Sequence, residues 1–165
     1  MLFDLGMLRR QAIGPVAAVV LSLIAMSSAA NAACTPAADA TPLPVPGTTV
    51  TCSGTTTDQN SPNGYGTGAQ TGITINVTNG SSVTGSTTDG IAVHDATVNN
   101  GTGASILGVQ DGIDAVTTTI NVTNSGTIRG TGNFGVSAGT DATVTNNATG
   151  SIFGGQSGIV ALVLV

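Results

Sequence analysis

Ile73–Val93 reads ITINVTNGSSVTGSTTDGIAV, and the same unit is written three more times. The copies are ATVNNGTGASILGVQDGIDAV (Ala96–Val116), TINVTNSGTIRGTGNFGVSA (Thr119–Ala138) and ATVTNNATGSIFGGQSGIVA (Ala142–Ala161). Three anchors recur. A valine precedes an Asn-containing turn at Val77, Val98, Val122 and Val144, spaced 21, 24 and 22. A β-branched residue stands two before a glycine at Val83, Ile106, Ile128 and Ile152, spaced 23, 22 and 24. A glycine is followed by a β-branched residue at Ile91, Ile113, Val136 and Ile159, spaced 22, 23 and 23. Three anchors agreeing on one period define a repeat array.

Each unit divides into short runs with an apolar residue, closed by Gly, Asn, Asp or Ser, the pattern of brief strands between turns. No unit carries a 3.6-residue apolar stripe, so helices are not expected. Leucine-rich repeats share the period but need a dense leucine pattern, and the repeated apolar positions here are Val and Ile. The expected fold is all-β: a right-handed parallel β-helix of about four coils of 22–23 residues behind a disulfide-capped N-terminal segment. One coil cannot bury its apolar row alone, and stacked neighbours bury it together. The three anchor sets become three internal ladders: Val77, Val98, Val122 and Val144; Val83, Ile106, Ile128 and Ile152; Ile91, Ile113, Val136 and Ile159.

Only 7% of the 165 residues are charged, with no lysine or glutamate. Low charge and a regular Val/Ile register argue for an ordered solenoid rather than a disordered polar chain. Residues 1–32 have the layout of an export signal: Arg9 and Arg10, then an apolar run over Ala12–Met26, then small residues ending in Ala30-Asn31-Ala32. Cleavage is expected after Ala32. The remaining chain then holds one arginine against seven aspartates, so nucleic acid is not an expected partner.

Cys34 and Cys52 are the only cysteines, and export permits a disulfide between them. The pair would staple a Pro-rich loop and cap the solenoid's open N-terminal edge. Residues 33–72 read as this cap, with a strand in TVTCSGTTT and a Gly/Asn/Ser/Thr-rich loop around Tyr65 over Thr55–Gly72. Residues 73–165 are the coils.

The signal ending in ANAACTP, then GTTVTCSGTTT, then repeats of the VTNSGTIRG type resemble the N-terminal part of the passengers of Gram-negative autotransporters, the type V secreted proteins. The resemblance covers nearly the whole mature chain. It implies a β-helical passenger exported through the inner membrane to the cell surface or outer membrane, often an adhesin with a host or cell-surface ligand. Passengers of this type are threaded out through a C-terminal β-barrel, and no set of barrel strands is present in this sequence. The apolar Leu162–Val165 stands where earlier coils turn, a β-prone edge. A truncated reading frame, or a partner subunit covering that edge, is the expectation; without a barrel the product would stay in the periplasm.

Chemistry is scarce. No catalytic, cofactor-binding or metal-ligating set is expected, and no cofactor. His94 with Asp95 is a turn pair, since sequence neighbours cannot form an oriented triad. Asp89 and Asp111 occupy matching coil positions like a carboxylate pair or weak calcium site, but each opens an Asp-Gly turn. The alternative function is a fragment of a β-helical polysaccharide-acting enzyme whose catalytic coils are missing. Asn79, Asn100, Asn124 and Asn146 read as a turn ladder whose amides bond along the rod. Ice binding needs a regular threonine ladder. With the valines aligned, Thr97 and Thr143 match while Asn76 and Asn121 break it.

Overall fold

The computed structural model describes residues 33–41, 43–115 and 117–162. The expected export signal, with Ala30 and Ala32, lies outside them. Fifteen strands and no helix are found among the described residues. They are β1 (Ala33–Thr35), β2 (Thr49–Ser53), β3 (Thr55–Thr57), β4 (Ile73–Val77), β5 (Ser82–Gly85), β6 (Ile91–Val93), β7 (Ala96–Asn100), β8 (Ser105–Gly108), β9 (Ile113–Ala115), β10 (Ile120–Asn124), β11 (Thr127–Gly130), β12 (Phe134–Ala138), β13 (Ala142–Asn146), β14 (Ser151–Gly154) and β15 (Ser157–Ala161).

Every third strand returns to the same sheet. The first sheet runs β1-β2-β4-β7-β10-β13, the second β14-β11-β8-β5-β3 and the third β15-β12-β9-β6. All pairings are parallel except β1 on β2. The molecule is a β-solenoid of about five turns, roughly 20–25 Å long at the usual strand spacing. Parallel sheets usually bury both faces. These bury one, so their strands alternate in and out, as β4 does in full.

Five turns replace the expected four because the supposed loop around Tyr65 is itself a coil. β2 pairs with β4, β3 pairs with β5, and Tyr65 bridges Ile91. Tyr65 is fully buried, and its hydroxyl donates to the Pro36 carbonyl at 3.2 Å.

Two of the three expected ladders stand as read. Val83, Ile106, Ile128 and Ile152 stack in register, and so do Ile91, Ile113, Val136 and Ile159. The third ladder is corrected at one position. Val98, Val122 and Val144 stack, but their partner in the preceding coil is Ile75, followed by Val50. Val77 points inward two residues further on, between Cys52 and Asn100. The cause is turn length. Four residues separate β4 from β5 and β7 from β8, but only two separate β10 from β11. A shift of two preserves which side chains face in, so the apolar pattern tolerates either alignment. Along these columns burial weakens at the last described coil: Val144 and Ile152 are half-buried and Ile159 is 46% exposed.

Sterics explain the glycine anchors. At Gly85, Gly108, Gly130 and Gly154 a Cβ would fall within 2.0 Å of a carbonyl oxygen of the same coil, from Asp89, Asp111, Phe134 and Ser157 in turn. At Gly90, Gly112 and Gly135 it would meet the carbonyl of the glycine one coil on, at 2.5–2.6 Å.

The N-terminal end is closed by a built cap. Cys34 and Cys52 face each other across β1 and β2 and form the expected disulfide. Gln59 clamps the Cys34 backbone from both sides, accepting from its N–H and donating to its carbonyl, each at 2.7 Å. Gln70 Nε2 donates to the Ala38 carbonyl at 3.0 Å. Antiparallel β1 thereby covers the edge of β2 that an open solenoid would leave bare.

Candidate interaction face

The corrected register decides what the first sheet shows to solvent. One outward column is Thr49, Thr74, Thr97, Asn121 and Thr143. The next is Thr35, Thr51, Asn76, Asn99, Thr123 and Thr145. Eight threonines and three asparagines thus form two parallel files, and none of the eleven is buried. None carries a charge. Of the two asparagines expected to break the Thr97 column, Asn76 pairs with Asn99 in the neighbouring file and Thr74 takes its place, while Asn121 remains between Thr97 and Thr143. Asn99 Nδ2 donates to Asn76 Oδ1 at 2.8 Å, tying those two coils.

The eight threonine hydroxyls make no hydrogen bond to any described residue. Threonines in the turns behave differently: Thr71 Oγ1 donates to Asp95 Oδ2 at 2.5 Å, Thr78 Oγ1 to the Cys52 carbonyl at 3.1 Å, and Thr149 Oγ1 to the Ser125 carbonyl at 2.9 Å. Along one side of the face runs a trough of about 350 Å³ lined by Thr74, Thr97, Thr118, Thr119 and Asn121, with Asp95 at its rim. Bonds from Thr71 and the Gly72 N–H occupy Asp95 and hold its carboxyl below the usual range.

The other two sheets present mixed surfaces. The second shows Leu107, Arg129 and Phe153 in one column. A groove of about 460 Å³ lies beside Arg129 and Phe153, which is 58% exposed. The third sheet shows Asp114, Ser137 and Val160, while Ala92 in the same column is buried.

The remaining polar candidates have structural work. Asp89 Oδ1 accepts the N–H of Asp111 at 3.0 Å, and Asp111 Oδ1 accepts the N–H of Phe134 at 2.7 Å. Each carboxylate thus caps the backbone one coil on, and Asn63 Oδ1 does the same for the Asp89 N–H at 3.4 Å. Burial pushes Asp89 up to about 6, with the charges of Asp114 and Asp111 adding to it. Burial also raises Asp111 and Asp114. No group of three metal-ligating side chains is found among the described residues. His94 Nδ1 lies 3.7 Å from its neighbour Asp95, and Thr118 bonds to the His94 carbonyl. The expected amide ladder forms from Asn100, Asn124 and Asn146; Asn79 stays in its turn, accepting the Thr102 N–H at 3.0 Å.

Scans against protein-family models, characterised proteins and solved structures each return no match. The fold defines the class, a capped parallel β-solenoid, and its faces are described from their own geometry.

Proposed function

We propose that this chain is an exported β-solenoid of the autotransporter-passenger type, serving as a surface-binding stalk or adhesive segment rather than as an enzyme. The observation that carries the reading is the Cys34–Cys52 disulfide, formed two residues after the expected cleavage point at Ala32. Such a bond persists in oxidising compartments, outside the cytoplasm. Support also comes from the capped rod itself, which offers long outward columns to a partner while its core holds the shape. The non-enzymatic part of the reading rests on Asp89 and Asp111, each of which spends its Oδ1 on a backbone N–H of the next coil.

The test is expression of the whole chain in a Gram-negative host, with fractionation and intact mass. The reading expects an exported product starting at Ala33 with no free thiol. A cytoplasmic product retaining residues 1–32, with both thiols free, would refute it.

A further inference from the structure

We propose that the outward face of the six-stranded sheet is an ice-binding surface, with the ordered water of a growing crystal as its ligand. The proposal goes beyond the exported-stalk reading and does not depend on it. Its ground is the make-up of the two uncharged files, Thr49-Thr74-Thr97-Asn121-Thr143 and Thr35-Thr51-Asn76-Asn99-Thr123-Thr145, in which eight of eleven positions are threonine and the other three asparagine.

The spacing is fixed by the backbone. Neighbouring coils stand about 4.8 Å apart, and alternate residues along one strand about 6.7 Å apart. The face is therefore a two-dimensional grid of hydroxyl and amide groups with repeats of the size of the oxygen repeats in hexagonal ice. In-register stacking, with an asparagine ladder along one edge of the same sheet, favours low twist.

The chemistry fits the same ligand. Threonine sets a methyl beside a hydroxyl on a side chain stiff at χ1, so little freedom is lost when water orders on it. The hydroxyls have no partner among the described residues, leaving both donor and acceptor capacity for water. Neither file carries a charge, and Asp95, at the rim of the trough beside them, is engaged by Thr71 and the Gly72 N–H, whereas the second sheet carries Arg129 and the third carries Asp114. A charge would hold its own hydration shell against the lattice. Aromatic side chains, the usual platform for sugar rings, are also absent: Tyr65 is in the core and Phe153 is on another sheet.

The experiment compares the folded, oxidised chain with Thr97→Tyr, Thr123→Tyr and, on the neighbouring sheet, Ser105→Tyr. Thermal hysteresis, crystal shape and partition of labelled protein into a slowly grown ice hemisphere are read, with circular dichroism and melting to verify that each variant is folded. The proposal expects the parent to shape ice and enter the hemisphere. Folded Thr97→Tyr and Thr123→Tyr should lose most of both activities, and Ser105→Tyr should keep them. A folded parent that is excluded from ice and shows no hysteresis would overturn the proposal. So would equal losses in all three variants. Binding of the parent to insoluble cellulose or chitin, abolished by Thr97→Tyr without any ice activity, would overturn it too and give the face to a polysaccharide.

Discussion

Asn100 donates from Nδ2 to Oδ1 of Asn124 at 2.8 Å, and Asn124 repeats the bond to Asn146 at 2.8 Å. The chain of amides runs along the rod inside the wall, with Asn100 and Asn124 buried. Asn124 also donates to the Gly126 and Ser151 carbonyls at 3.1 Å and accepts the Gly126 N–H at 3.2 Å. It closes the short two-residue turn as well as joining coils. The ladder begins at Asn100, whose Oδ1 has no donor because Val77 stands in the coil before it.

Replacing Asn124 by Ala should therefore cost about 3 kcal/mol, since several buried groups lose partners together. Val77→Asn should cost less than about 1 kcal/mol, because a new amide there meets the orphan Oδ1 of Asn100, whereas Val98→Asn, with no polar partner, should cost more than about 3 kcal/mol. Urea unfolding of the three variants checks the order. Equal costs at positions 77 and 98 would contradict it.

Gly108→Ala should destabilise by more than about 4 kcal/mol or prevent folding, because rigid backbone occupies the space a Cβ needs. The new carbon would sit 1.8 Å from the Asp111 carbonyl oxygen. Gly80, at φ +70° with nothing within 4 Å of a Cβ, is the contrast. Gly80→Ala should cost only about 1 kcal/mol, the strain of a left-handed conformation. Thermal melts of the two variants separate crowding from backbone strain.

Stability should fall as pH rises through about 6. Asp89 has its folded pKa raised to about 6, with burial as the main cause. An unfolded aspartate titrates near ~4, so between these values the folded state holds more protons. The contribution is fully present below pH ~4 and is lost as pH climbs through the folded pKa. Asp111 and Asp114 shift in the same direction. The loss attributable to Asp89 is on the order of 2 kcal/mol. Asp89→Asn, which can still accept the Asp111 N–H, should flatten the melting profile between about pH 4 and 7 and raise stability at the upper end. An unchanged slope would show that the carboxylate is better hydrated than the fold indicates.

Removing the staple with the double change Cys34→Ser and Cys52→Ser should cost about 3 kcal/mol in the chain-entropy model, lowering Tm by about 10 °C. The bond closes a separation of 18 residues. Gln59 holds the same backbone without covalency, so Gln59→Ala should worsen the loss in the cysteine-free chain. A melt under reducing conditions gives the same comparison without mutation.

The period, the parallel stacking and the disulfide were readable from the chain because each leaves a repeated or paired mark. Ile106 and Gly108 recur at matching spacing since one fills the core and the other makes room for a carbonyl. The first coil was hidden because its third side is written with Asn60, Asn63 and Tyr65, which look like a loop until Tyr65 is seen under Ile91. The interaction face was hidden by a repeated word. INVTN occurs at Ile75–Asn79 and at Ile120–Asn124, yet the two copies sit in different registers. Each copy is followed by two residues before the next strand; they differ in that Thr78 and Asn79 lie in the turn whereas Thr123 and Asn124 lie in the strand, and that choice carries no hydrophobic signal.

That register is the central claim, because the threonine files exist only with Thr74 beside Thr97. Cysteine pairs measure it directly. Residues stacked on adjacent strands lie about 5 Å apart and diagonal ones about 7–8 Å apart, so only the former can close a disulfide readily. Thr74→Cys with Thr97→Cys, mildly oxidised and mapped by peptide mass, is predicted to give a bond between positions 74 and 97 beside the native Cys34–Cys52 bond. Asn76→Cys with Thr97→Cys is predicted to give none. A bond between 76 and 97 and none between 74 and 97 would put Val77 beside Val98 and break the files, contradicting the account.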